Sequence, residues 1–151
     1  MGTRSAIGFI EYDKSITGIY CHFDGYYEGV GQTLLEHYND IEKVEDLLDL
    51  GDLSTLGFEI GYKHPFSRFD TNMTDAMYQE QFGDMCVSYG RDRGEEGTEA
   101  KQLANMQEFT DHFKSAGCQY FYLYDGIRWY ATDLKNPGTF SFLTDKLKVT
   151  A

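Results

Sequence analysis

The sequence has no long apolar run. Its uninterrupted apolar stretches last only a few residues, far short of the roughly 20 a membrane-spanning helix needs, so no membrane partner is expected. Proline occurs twice, at Pro65 and Pro137, and no Pro- or Ser-rich linker divides the 151 residues; one domain is the expectation. Cysteine occurs three times, at Cys21, Cys86 and Cys118. An odd, scattered set makes neither a disulfide framework nor zinc spacing, so reduced thiols in a cytoplasmic protein are expected. No signal peptide is read at the start. Cations are scarce: 13 Lys and Arg face 25 Asp and Glu, a net charge of −12. That balance argues against wrapping nucleic acid, which needs a basic face. The catalytic patterns G-x-S-x-G and H-E-x-x-H are both missing, and no Cys/His pair has a local signature. No enzyme, metal or cofactor is therefore nominated.

What the chain has in quantity is aromatic side chains, with 12 Tyr, 11 Phe and one Trp. Residues 4–12 and 15–23 alternate in polarity around Asp13-Lys14 and read as a β-hairpin. A short helix is expected near Gly29–Tyr38. A second follows, with Asn39 and Glu42 at capping-box spacing, Ile41, Val44, Leu47 and Leu48 as its apolar stripe, and Gly51 as its stop. Residues 52–83 read as irregular, with a short strand near 58–62. Residues 84–90 read as a strand and 91–97 as a charged loop. Thr98 is expected to cap a helix running to Ser115 with Leu103, Met106, Phe109 and Phe113 inward. Asp125-Gly126 between two aromatic runs is a hairpin signal, and 139–143 suit a last short strand. The sum is an α+β domain with an antiparallel sheet of about five strands and two to three helices.

Three features invite a binding role. Tyr120, Tyr122 and Tyr124 alternate with Phe121 and Leu123; with the latter two in the core, the tyrosines either cover a sheet or offer a stacking platform. Arg91 and Arg93, at i and i+2, either clamp an anion together or sit neutralised by Asp92, Glu95 and Glu96. Tyr26–Gly31 resembles a glycine-containing helix entry whose N–H groups suit a phosphate, although Glu28 opposes an anion there. The acidic run Asp40, Glu42, Glu45, Asp46, Asp49 and Asp52 reads as a solvated helix face, or as a surface that docks to a basic partner.

Five segments carry a resemblance: Met1–Ser5, Ile19–Tyr26, Leu34–Tyr38, Leu50–Gly57 and Tyr89–Glu95. They resemble shared blocks of a family of small proteins encoded in tailed bacteriophages and prophages. By analogy of character with compact, aromatic-rich anti-defence proteins, the resemblance implies a sponge for a nucleotide-derived immune signal in the host cytoplasm, cyclic or ADP-ribose-like. Arg4, Arg91 and Arg93 would hold phosphates. Tyr20, Tyr26, Tyr122 or Trp129 would stack on the base, and His22 and Asp24 would hydrogen-bond ribose or base. Pockets of that class often lie between copies, so a homo-oligomer is expected. The alternatives are an acidic protein that blocks a host protein by surface mimicry, and a small phosphodiesterase acting on the same signals.

Overall fold

The computed structural model describes residues 2–135 and 139–148. In chain order its elements begin with β1 (Ser5–Ile10) and β2 (Ile16–Cys21), then a π-helical turn (Tyr27–Gly31), α1 (Gln32–His37) and α2 (Ile41–Asp49). β3 (Leu53–Thr55), α3 (Asp75–Phe82), β4 (Val87–Ser88), α4 (Tyr89–Arg93) and β5 (Lys101–Leu103) make up the middle. The chain closes with α5 (Met106–Ser115), β6 (Tyr120–Tyr124), β7 (Trp129–Asp133), β8 (Ser141–Phe142) and α6 (Leu143–Lys148).

This corrects the expectation of a five-stranded antiparallel sheet with two to three helices. Among the described residues there are eight strands in one mixed sheet and six α-helices. Strand order is β4-β3-β2-β1-β6-β7-β8, with β5 paired to β2 off that path. Most pairs are antiparallel, but β1 runs parallel to β6 and β2 parallel to β3. The two hairpins of the sequence reading are present, as β1–β2 and β6–β7. They are joined through a parallel contact between strands more than 100 residues apart, Ser5 pairing with Tyr120.

Both faces of the sheet are covered. On one face, α5 lays Phe109 and Phe113 against Ala6, Ile16, Phe121 and Leu123. Its Phe109 ring rests on bare backbone: a Cβ on Gly8 or Gly18 would come within 2.9 or 2.8 Å of that ring. On the other face, α1, α2 and α6 pack Leu34, Tyr38, Val44, Leu47 and Leu143 over Ile7, Ile19, Cys21, Tyr122, Tyr124 and Trp129. Tyr122 and Tyr124 of β6 therefore belong to a second core layer rather than to an exposed platform, with half-buried Tyr120 packed at its margin.

Local chemistry accounts for several boundaries that the sequence placed differently. Asp40, not Asn39, caps α2, accepting the Glu42 N–H at 2.9 Å. Asn105, not Thr98, caps α5 by accepting the Glu108 N–H at 2.9 Å. That leaves Lys101–Leu103 free to pair with β2. The strand expected near 58–62 reduces to a single bridge between Glu59 and Met85, and the true strand is β3. Thr74 caps α3 within the stretch read as irregular.

Candidate functional site

Strand pairing sets a continuous row across the sheet: Tyr120, Ser5, Cys21, Leu53 and Ser88. Arg4 and His22 flank that row on one side, and Tyr20, Asp52 and Tyr89 flank it on the other. The backbone holds them there. Arg4 O accepts from Gln119 N at 2.8 Å, His22 N donates to Leu53 O at 3.0 Å, and Tyr89 N donates to Asp52 O at 3.2 Å. Four of the five segments that carry the resemblance thus meet around one row of the sheet. The fifth supplies Tyr38, which is buried behind them and donates its hydroxyl to Gly57 O at 2.7 Å.

Arg4 reaches across the turn that follows α5, donating to Ala116 O at 3.3 Å. Gly117 makes room for it: the residue has φ +93, and a Cβ there would lie 2.7 Å from the Arg4 guanidinium. Tyr20 and His22, two residues apart on β2, share a face, and their Oη and Nδ1 are 2.8 Å apart. Burial pushes the Tyr20 phenol up to about 12, against the pull of Arg4. Partial burial and then Arg4 hold His22 below its ordinary value. Asp52 accepts the Tyr20 backbone N–H at 3.0 Å. Burial raises its carboxyl pKa, opposed by that bond and by Lys101 and His112. Tyr89 is within electrostatic reach of Tyr20. Arg93 lies over the Tyr89 and Phe66 rings, at 4.8 and 4.5 Å from their centroids, and binds Glu95 at 2.5 Å.

Not every nominated residue joins this region with a free functional group. Arg91 turns inward: it donates to Ile60 O at 2.8 Å, to Cys86 O at 2.9 Å and to both oxygens of Asp92. The Asp92 carboxylate also accepts from the backbone N–H groups of His64 and Ser88. Arg91 and Arg93 therefore do not form one clamp. Both belong to α4, where a step of two residues turns roughly 200° about the axis. Tyr122 and Trp129 are 0% and 3% exposed. Their polar atoms are committed, the Tyr122 hydroxyl to Gly25 O at 2.6 Å and the Trp129 indole to Tyr38 O at 2.7 Å. Neither ring presents a face to a ligand in this packing. Asp24 and Tyr26 sit on the exposed turn after β2, with the Tyr26 hydroxyl donating to Asp24 at 3.3 Å. The helix entry after them has no cradle, because Gly29, Val30 and Gly31 donate to Tyr26 O and Asp24 O.

The sequence reading did not nominate Asp52, Tyr89 or Phe66. Tyr89 lies inside the Tyr89–Glu95 segment, beside Arg91 and Arg93. Asp52 was absorbed into an acidic run that the fold divides.

Elsewhere, Glu11, Glu42, Glu45, Asp46 and Asp49 rim a groove of about 560 Å³ floored by Phe9 and Leu48. A second groove, about 350 Å³, is lined by Tyr27, Tyr120, Asp133 and Lys135. There the Tyr27 hydroxyl donates to Asp133 at 2.7 Å. Among the described residues, no group of three or more His, Cys, Asp or Glu side chains is placed to hold a metal ion. No described helix is long and apolar enough to cross a membrane. Comparison of the chain with protein-family models, curated proteins and solved structures finds no match.

Proposed function

We propose that the chain is a binding protein that holds, without turnover, a small ligand joining an aromatic base to phosphate. Its site is the region around that row formed by Arg4, Tyr20, His22, Tyr89 and Arg93. The observation that carries this reading is that four sequence-distant segments meet around one row of paired strands and place a cationic, an imidazole, a carboxylate and an aromatic side chain on either side of it. Among the described residues Arg4 commits one guanidinium N–H, to Ala116 O, which leaves its others for an anion. The Tyr89 ring, already bearing Arg93, suits a planar base. The net charge of −12 opposes the approach of an anion, but screening beyond about 8 Å at physiological salt leaves the local arginines to decide. The resemblance to phage accessory proteins makes a nucleotide signal of host immunity the expected cargo.

Incubation with cyclic dinucleotides and ADP-ribose, followed by filtration and denaturation, tests the proposal. One of these ligands should be depleted from the filtrate and recovered chemically intact. Arg4→Ala and Arg93→Ala should each weaken capture by about 1–3 kcal/mol, with unfolding midpoints close to wild type. Recovery of an altered ligand would make the protein an enzyme, and no depletion of any ligand would remove the reading.

A second reading has its own observation. The acidic side chains of α2 and Glu11 line one groove, as a surface that docks a basic partner requires. It differs from the first in placing the contact beside α2.

A further inference from the structure

We propose that Tyr20 is a positioning residue, fixing His22 as a neutral imidazole that offers its Nε2–H, beside Arg4, to an oxygen of a phosphoryl group. The inference rests on the site reading above and adds to it how the imidazole is set.

Two residues apart on one strand, Tyr20 and His22 project from the same face, and Oη lies 2.8 Å from Nδ1. One proton sits between them. A phenol is the better donor and a neutral imidazole nitrogen the better acceptor, so the O–H donates to Nδ1. The reverse arrangement would leave the half-buried phenol proton without an acceptor, since Tyr20 Oη has no other hydrogen-bond partner among the described residues. The titration shifts agree: burial holds the phenol proton on Tyr20, while burial and Arg4 disfavour a second proton on His22. With Nδ1 occupied as acceptor, the tautomer is fixed and the ring's single N–H is Nε2.

The pair is also held in place. Asp52 anchors the Tyr20 backbone N–H at 3.0 Å. Phe23 packs edge-on against the imidazole, with centroids 4.5 Å apart. The bare backbone of Gly2 closes on His22 O, where a Cβ would approach to 2.3 Å. Arg4 falls opposite His22 in the continuation of the antiparallel β1–β2 register, and its charge acts on the titration of both Tyr20 and His22. A guanidinium and a fixed imidazole N–H together suit an anion that accepts at two points, as a phosphate ester does. Tyr20 then contributes orientation, because its hydroxyl is already committed to His22.

The test uses the full chain labelled with 15N. Long-range proton–nitrogen correlation of the imidazoles at neutral pH should show His22 as the Nε2–H tautomer. Tyr20→Phe, which keeps the ring, should return it to a mixture of tautomers while the amide spectrum stays folded. With ADP-ribose as probe, Tyr20→Phe and His22→Gln should each lower affinity roughly tenfold, and the double variant should lose little more than either alone. His22 found as the Nδ1–H tautomer, or unchanged by Tyr20→Phe, overturns the inference whatever the binding result. Unchanged ADP-ribose affinity in Tyr20→Phe, in a wild type that binds it, overturns it as well. If neither ADP-ribose nor cyclic dinucleotides bind the wild type while His22 shows the Nε2–H form, the site reading falls, the role toward phosphate falls with it, and Tyr20 still sets the tautomer.

Discussion

Asp92→Ala is expected to destabilise the protein by roughly 3–5 kcal/mol, the cost of breaking a buried charge pair from one side. Asp92 is buried, and its two oxygens receive the His64 N–H at 3.1 Å, the Ser88 N–H at 2.8 Å and two guanidinium donors of Arg91. Removing the carboxylate orphans two backbone donors and leaves the Arg91 charge, whose side chain is 16% exposed, without its counter-ion. The damage extends beyond α4. Arg91 also ties Ile60 and Cys86, and His64 sets its two ring nitrogens against Pro65 O and Cys86 O, at 2.9 and 3.0 Å. This one carboxylate thus organises the long segment between β3 and α4, which has little regular structure of its own. Urea unfolding of the two proteins measures the difference. A loss below about 1 kcal/mol would show that the network is a surface ion pair in energetic terms. Arg91→Ala should behave the same way, reducing stability first and ligand capture only through it. In that respect it differs from Arg4→Ala.

Phe109→Ala carries the second large effect, about 3–5 kcal/mol, as expected for a buried aromatic ring removed from a core that cannot fully close. The packing makes collapse difficult. The ring stands directly on the backbones of Gly8 and Gly18, so no side chain at either position can swing into the void. Gly18→Ala supplies the control. In the wild type its new methyl would meet the Phe109 ring at 2.8 Å and the Phe113 ring at 3.0 Å. In Phe109→Ala the first of these obstacles is gone and the methyl occupies part of the cavity. The double variant should therefore be more stable than the sum of the single losses. Additive losses would mean that Phe109 does not rest on Gly18.

How much of this was legible in the sequence follows from range and from faces. The hairpins were legible because turn and alternation are local: Asp13 accepts from the Ser15 N–H and hydroxyl, and Asp125 from the Ile127 and Arg128 N–H groups. The parallel union of β1 with β6 was not, because no local signal ties Ser5 to Tyr120. The β6 run YFYLY is aromatic or apolar at every position, which is what a strand buried on both faces looks like. Assigning one face to solvent made a platform of residues that are core. Leu103 fits the apolar stripe of α5 by spacing, but the cap at Asn105 falls after it. Alternation along β2 put Tyr20 and His22 on one face, as the 2.8 Å contact between them requires, but gave Arg4 no place beside them. The alignment of Asp52 and Tyr89 with Tyr20 depends on β3 and β4, which have three and two residues and leave little periodic trace.

The most direct test of the account is to map ligand-induced amide shifts on the 15N-labelled protein as ADP-ribose and cyclic dinucleotides are added in turn. The account predicts saturable shifts confined to residues 2–5, 20–24, 52–54, 89–95 and 116–118, saturating only at higher ligand concentration in Arg4→Ala. Shifts centred on Glu11 and residues 42–49, or a spectrum that no nucleotide moves, would contradict it.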